Sequence, residues 1–166
     1  MIGNIALMAV DLITILNTYG NTTVQQIRQN LAATGTNATG KTSNSLRFEV
    51  TQAGEKVSLK IFGKPYLAVV ETGRKPTPQY TKPSKEFVQS IAEWLTARGK
   101  SGHSAYGVAK AIHQKGTQLF RSGGRKDIIS NVINQDLTDR ISADVLKSFA
   151  NLLQTNIKSI YGSNSN

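Results

Sequence analysis

The sequence predicts an α+β protein with N-terminal helices, a central antiparallel β-hairpin and packed helices that include a long C-terminal helix. Two patterns carry this prediction. Apolar residues recur at helical spacing near both ends, and they alternate with polar residues in residues 46–51 and 56–62. With 166 residues the chain is long enough for a modest core, and we predict one domain over residues 1–166.

The N-terminal region predicts two helices. The apolar face of the first is formed by Ile2, Ile5, Ala9, Leu12, Ile13 and Leu16. We expect Gly20 and Asn21 to interrupt it, and Thr22 or Thr23 to open a capping box for a second helix that ends near Ala33. Further apolar residues lie outside the first helix's face, so we expect burial on two sides, one of them against a neighbouring subunit.

Residues 35–42 match the phosphate-binding pattern G-x-x-x-x-G-K-[ST] letter for letter. A phosphate loop requires a buried strand before its first glycine and a helix that starts at its Lys-Thr pair. Here a helical pattern precedes Gly35, and a strand pattern follows from Leu46, which is the reverse order. We interpret the segment as a glycine-rich turn, and a P-loop nucleotide-binding protein is the less favoured alternative.

Two alternating runs predict the hairpin. Residues 46–51 and 56–62 place an apolar residue at every second position, and residues 52–55, which include Gly54, join them. The next segment, residues 66–71, is short and apolar, and its pattern is compatible with either a helix or a strand. Residues 72–84 contain three prolines and predict an extended arm, because proline at this density prevents regular structure.

The C-terminal half is predicted to be helical. Residues 85–117 predict a helical insertion, in which Ser84 caps one helix that Gly99 stops. A second helix is predicted to begin near Ser104 and to end at Gly116. Residues 127–134 are ambiguous between helix and strand. From residue 137 to residue 160 helical spacing predicts the longest helix, which we expect to form the backbone of the core, and residues 162–166 predict a flexible tail.

The charge balance points to anionic partners. Twenty basic residues against ten acidic ones give a net charge of +10, which favours contact with nucleic acid or an acidic protein surface. Basic residues in two loops are therefore the candidate interface residues. They are Arg74, Lys75, Lys82, Arg121, Arg125 and Lys126.

The residues needed for catalysis are largely missing from the sequence. There is no cysteine, and neither His103 nor His113 has a carboxylate at the spacing of a metal ligand or a catalytic dyad. We therefore predict no catalytic residue, no metal, no cofactor and no enzymatic activity. The apolar N-terminus lacks the basic flank and the cleavage-like end of a signal peptide, and we expect no membrane partner.

Several parts of the chain, in this order, resemble the neck and tail-component family of tailed bacteriophages. They are an N-terminal helical region, Thr39-Gly40, a strand start at residues 43–47, the hairpin, and the motif Tyr-Leu-Ala-Val-Val-Glu-Thr-Gly at residues 66–73. The resemblance covers residues 22–75 well and 125–160 loosely. Residues 76–124 are longer than usual and resemble the insertion in ring proteins of podovirus-like phages that infect gut Bacteroides.

This resemblance implies a structural virion protein, a homo-oligomeric ring of six or twelve copies in the head–tail connector. Such a ring, assembled in the host cytoplasm, extends the DNA channel and docks portal or adaptor and tail proteins. Each copy needs two different interface patches, and we expect the first helix and the proline-rich arm to supply them. Whether the basic loops meet channel DNA or acidic protein stays open. The alternative is a small basic nucleic-acid-binding module.

Overall fold

The computed structural model describes the backbone of residues 2–77 and 82–161, and side chains from residue 11 onward. The predicted tail at 162–166 and part of the proline-rich arm, including Pro78, lie outside the described residues. The predicted α+β class is confirmed, with helices and one two-stranded sheet. The elements are α1 (Ile2–Ala33), α2 (Lys41–Ser45), β1 (Arg47–Ala53), β2 (Lys56–Phe62), a 3-10 helix (Pro65–Ala68), α3 (Val69–Thr72), α4 (Lys85–Ala97), α5 (Ala105–Lys115), α6 (Gln118–Arg121) and α7 (Gln135–Tyr161).

The chain divides into two compact units. The first contains α1 up to Gln25, the hairpin of β1 and β2, and the chain from Val132 through α7. The second contains residues 26–46 and 63–131, and therefore all of the shorter helices.

The predicted break at Gly20 is wrong, because α1 runs without interruption from Ile2 to Ala33. Gly20 is a packing residue in the first unit: a Cβ at this position would lie 2.4 Å from the ring of Phe48 in β1. The predicted capping box is absent as well. The hydroxyl of Thr22 donates to the carbonyl of Thr18 at 2.9 Å, and Thr23 is buried. A glycine needed for close approach to a strand has the same appearance in sequence as a helix-breaking glycine.

The predicted hairpin is confirmed. β1 and β2 pair antiparallel from Arg47 opposite Phe62 to Ala53 opposite Lys56, so the turn contains two residues rather than the four expected. Gly54 holds the turn with a φ of 60°. The side chains of β1 alternate between half-buried and exposed up to Thr51, as the period-two pattern predicted.

Helices α1 and α7 run antiparallel in the first unit. The hydroxyl of Tyr19 donates to the carboxylate of Asp144 at 2.7 Å, and the hydroxyl of Ser148 donates to Asp11 at 2.9 Å. The first contact raises the pKa of Tyr19, chiefly through the hydrogen bond to Asp144. These two polar contacts fix the register between the helices.

The second unit holds most of the buried side chains. Its core is formed by Ile27, Leu31, Leu46, Val70, Leu95, Ala109 and Ile128. The predicted helix starts at Ser84 and Ser104 are confirmed, because each hydroxyl accepts a backbone N–H three residues later. Residues 127–134, ambiguous in sequence, form turns that bury Ile128.

Candidate interaction surfaces

The segment that matches the phosphate-binding pattern has a different geometry. Its lead-in is the end of α1, not a strand, as the sequence predicted. The expectation that the turn leads directly into the strand was wrong, because the five-residue helix α2 begins at Lys41 and precedes the strand. The guanidinium of Arg28 donates to the carbonyls of Ser43, at 3.3 Å, and Leu46, at 2.8 Å, which stabilises the end of this helical turn. The ammonium of Lys41 forms an ion pair with Glu93.

Glu71 forms a clamp on the turn at residues 128–130. Its Oε1 accepts backbone N–H groups from Ile128 at 2.9 Å, Ile129 at 2.6 Å and Ser130 at 3.0 Å, and its Oε2 accepts the hydroxyl of Ser130. Burial of Glu71 acts to raise the pKa of this carboxyl. The hydrogen bonds from Ser130 and from the turn's backbone outweigh burial, and the pKa is lowered. The carboxylate therefore stays charged and organises the turn.

Two glycines bring α6 and the loop after it against the segment that contains Glu71. At Gly73, with φ of 70°, a Cβ would lie 2.4 Å from the backbone nitrogen of Phe120. At Gly124, with φ of 82°, a Cβ would lie 2.8 Å from the carbonyl oxygen of Glu71. That same carbonyl accepts the backbone N–H of Arg125 at 2.8 Å. The glutamate and glycine of the Val-Glu-x-Gly motif thus have structural roles, which sequence reasoning had not assigned.

The six candidate basic residues have different environments. Arg74 is half-buried, with its guanidinium stacked over the ring of Phe87 at 3.8 Å from the centroid. Arg125 forms a bidentate ion pair with Asp127: its Nε donates to Oδ1 at 2.6 Å and its Nη2 donates to Oδ2 at 2.7 Å. The hydrogen bonding to Asp127 raises the pKa of Arg125. The other four are exposed: Lys75, Lys82, Arg121 and Lys126.

The structure brings three of these six residues to one groove, and we name it the basic groove. Its lining includes Lys75, Arg125 and Lys126 together with Gly123 and Gly124. Lys75 and Lys126 are 51 positions apart in the sequence, so no local pattern could have placed them together. Lys82 and Arg121 are not among the lining residues.

Helix α7 carries two apolar stripes, and neither is fully covered. The inner stripe is half-buried and contains Leu137, Ile141, Val145 and Leu152. The outer stripe is exposed and contains Leu146 (68%), Phe149 (45%), Leu153 (43%), Ile157 (54%) and Ile160 (61%). At 100° per residue the two stripes are centred roughly 110° apart around the helix.

No residue of α7 is buried, although we expected this helix to form the backbone of the core. That expectation was wrong. The sequence of α7 already indicated a second apolar face, because the apolar positions cover more of the helix than one packing face requires. A cavity of about 210 Å³ borders the outer stripe, lined mainly by Leu12, Ile15, Val145, Phe149 and Leu152.

Within residues 2–77 and 82–161 no group of three or more histidines or acidic residues is arranged to hold a metal ion. In the same part of the chain, every helix is too short or too polar to span a bilayer. Within the described part of the chain, the outer stripe of α7 and the basic groove are candidate surfaces for contact with partners.

No protein-family profile, curated protein or solved structure matches this chain.

Proposed function

We propose that this protein is a structural subunit of a tailed-phage virion, which assembles with copies of itself into a ring in the head–tail connector. The resemblance of residues 22–75 to neck and tail-component proteins suggests the class. One structural observation carries the proposal: a 27-residue helix has a second apolar stripe that the described residues of its own unit leave exposed.

The outer stripe has the dimensions of a subunit contact. From Leu146 to Ile160 it extends over about 21 Å of helix at a rise of 1.5 Å per residue. Its five side chains are about half exposed and offer on the order of 500 Å² of apolar surface, which is large for a monomer. Burial on a neighbouring copy removes about 1,000 Å² in total, which reaches the lower limit for a biological interface, and further contacts at the second patch of a ring would add to this area.

The spacing of the residues in the stripe is suited to packing against a helix or a sheet of the partner. Its residues recur at intervals of three and four positions, as in helix-packing seams. No charged residue belongs to the stripe, whereas Lys147 and Lys158 lie on another face of α7. An apolar strip with charged residues only on a neighbouring face is the composition expected for the core of an interface between copies of a chain.

A closed ring requires a second, different patch on each copy. The second unit offers Tyr66 and Val69, each 39% exposed and three positions apart on consecutive helical turns. Both belong to the motif that carries the family resemblance. We propose this pair as part of the opposing patch.

Native mass spectrometry of the full-length chain tests the ring. We expect a closed oligomer of six or twelve copies. Leu153→Asp should shift the population to monomers, because a charge then lies in the middle of the apolar contact. Gln154→Asp is the matched control: it adds the same charge on an exposed position of the same helix outside the stripe, and it should leave the oligomer intact.

Two outcomes contradict the proposal. One is a wild-type chain that stays monomeric at all concentrations with an unchanged Leu153→Asp variant. The other is antibody labelling of intact tailed particles that finds the protein away from the head–tail junction.

A further inference from the structure

We propose that the basic groove binds the phosphate backbone of duplex DNA without reading its sequence. The groove contains two lysines, Lys75 and Lys126, that are exposed and have no carboxylate partner among the described residues. The groove also contains Arg125, which is paired with Asp127. This proposal does not depend on ring formation.

The two chain segments that carry the basic residues of the groove are held in place by backbone hydrogen bonds. The carbonyl of Glu71 holds the backbone of Arg125, and the positive φ of Gly124 allows the loop to approach that carbonyl. Thr117 ties the other segment: its hydroxyl accepts the N–H of Arg74 at 3.0 Å, one residue before Lys75. The lysine positions are therefore held by backbone contacts, and only their side chains need to adapt to a ligand.

The acidic groups near the groove are already engaged. Both carboxylate oxygens of Glu71 accept hydrogen bonds from the turn at residues 128–130, and Asp127 binds the guanidinium of Arg125. The three cations Lys75, Arg125 and Lys126 against these two anions leave a net charge of +1. The ammonium groups of the two lysines are the charges that can move to meet a ligand. A groove of this composition attracts an anion along its length.

The lining favours nucleic acid over an acidic protein. Protein interfaces depend on exposed aromatic or arginine anchors that fill pockets. Here Phe120 is half-buried, and Arg125 is held by Asp127. Lysine is a flexible point charge suited to phosphate oxygens, and it contributes affinity without base readout.

The test measures binding of the full-length chain to a 24-base-pair duplex of arbitrary sequence by fluorescence anisotropy, at several salt concentrations. The double variant Lys75→Ala/Lys126→Ala should lose about tenfold in affinity at 0.1 M salt. The slope of log K against log salt should become shallower by about 1.8, since two phosphate contacts disappear. A second duplex of unrelated sequence should bind equally well.

The matched control is Lys110→Ala/Lys115→Ala on α5, which removes the same charge from exposed positions of the same unit that do not line the groove. An equal loss in this control assigns the binding to overall charge and overturns the proposal. Absence of wild-type binding at low salt overturns it too. Polyglutamate is the probe for the rival ligand, and stronger binding to polyglutamate than to the duplex also contradicts the proposal.

Discussion

The two units differ in where their stabilising contacts lie. In the second unit a short irregular segment is tightly packed: Glu71 is 8% exposed and accepts hydrogen bonds from the backbone of three consecutive residues. In the first unit the long regular helix α7 has no buried residue. The length of a helix therefore does not decide whether it contributes to the core: α1 contributes Leu16, Val24, Ile27 and Leu31, whereas α7 contributes no buried residue. The hydrogen bonds of the Glu71 segment are formed within its own unit, whereas α7 presents an apolar surface that another molecule can cover.

Gly73→Ala should produce the largest loss of stability and tests the packing of the second unit. The backbone at Gly73, with φ of 70° and ψ of 171°, lies in a region that is essentially restricted to glycine. An added Cβ also meets backbone atoms of Phe120, which cannot rotate away. We expect a loss of at least about 3 kcal/mol in the free energy of unfolding. Urea unfolding followed by the fluorescence of Trp94, a residue of the same unit, measures it.

Gly99→Ala is the control for backbone strain alone. Gly99 also has a positive φ, of 65°, but no atom lies within 4 Å of an added Cβ. The expected loss is about 1–2 kcal/mol, the cost of a left-handed conformation for an L-residue. Equal losses in the two variants would show that the close approach of Gly73 to Phe120 contributes nothing.

Glu71→Gln should have the second largest effect. The amide keeps one acceptor oxygen but loses the charge that strengthens hydrogen bonds from the turn at 128–130, so we expect a loss of about 2–3 kcal/mol at pH 7. Glu55→Gln in the exposed hairpin turn is the control and should change stability little.

We also expect the stability difference between the wild type and Glu71→Gln to depend on pH. The folded-state pKa of Glu71 is lowered from its ordinary value of 4.5, so its charge stabilises the fold above that value. This contribution is lost as the pH falls below about 4.5 and through the folded-state pKa. The stability difference between wild type and Glu71→Gln should therefore shrink in acid. A difference that stays constant from pH 7 to pH 3 contradicts the clamp.

Local patterns in the sequence predicted what depends on neighbouring residues. The hairpin followed from alternation, and the starts of α4 and α5 followed from Ser84 and Ser104, whose capping partners lie three residues away. Long-range contacts determined the rest. The turn at 128–130 is held by a carboxylate 57 to 59 positions earlier. The space beside Gly20 is filled by the ring of Phe48 from β1. The basic residues were identified from charge, but only the fold places Lys75 beside Lys126.

Gly20→Ala should have the smallest effect of the three and tests whether the first unit is tightly packed where α1 meets β1. In an unconstrained helix this change stabilises by about 0.5–1 kcal/mol, because alanine is the better helix former. Here the new Cβ would lie 2.4 Å from the ring of Phe48, so we expect a net loss of about 1–2 kcal/mol, measured by thermal unfolding with circular dichroism. Phe48 is half-buried and can shift, which keeps the loss below that of Gly73→Ala.

Phe48→Leu separates crowding at Gly20 from a backbone effect. The smaller side chain removes the ring atoms that the new Cβ would meet, so in the Phe48→Leu background Gly20→Ala should cost less than in the wild type. The coupling between the two positions then measures the contact directly. If Gly20→Ala stabilises the wild-type protein, the helix and the strand are not in close contact at this point. The first unit would then be loosely packed on the hairpin side as well as along α7, and its stability would depend more strongly on burial of the outer stripe of α7.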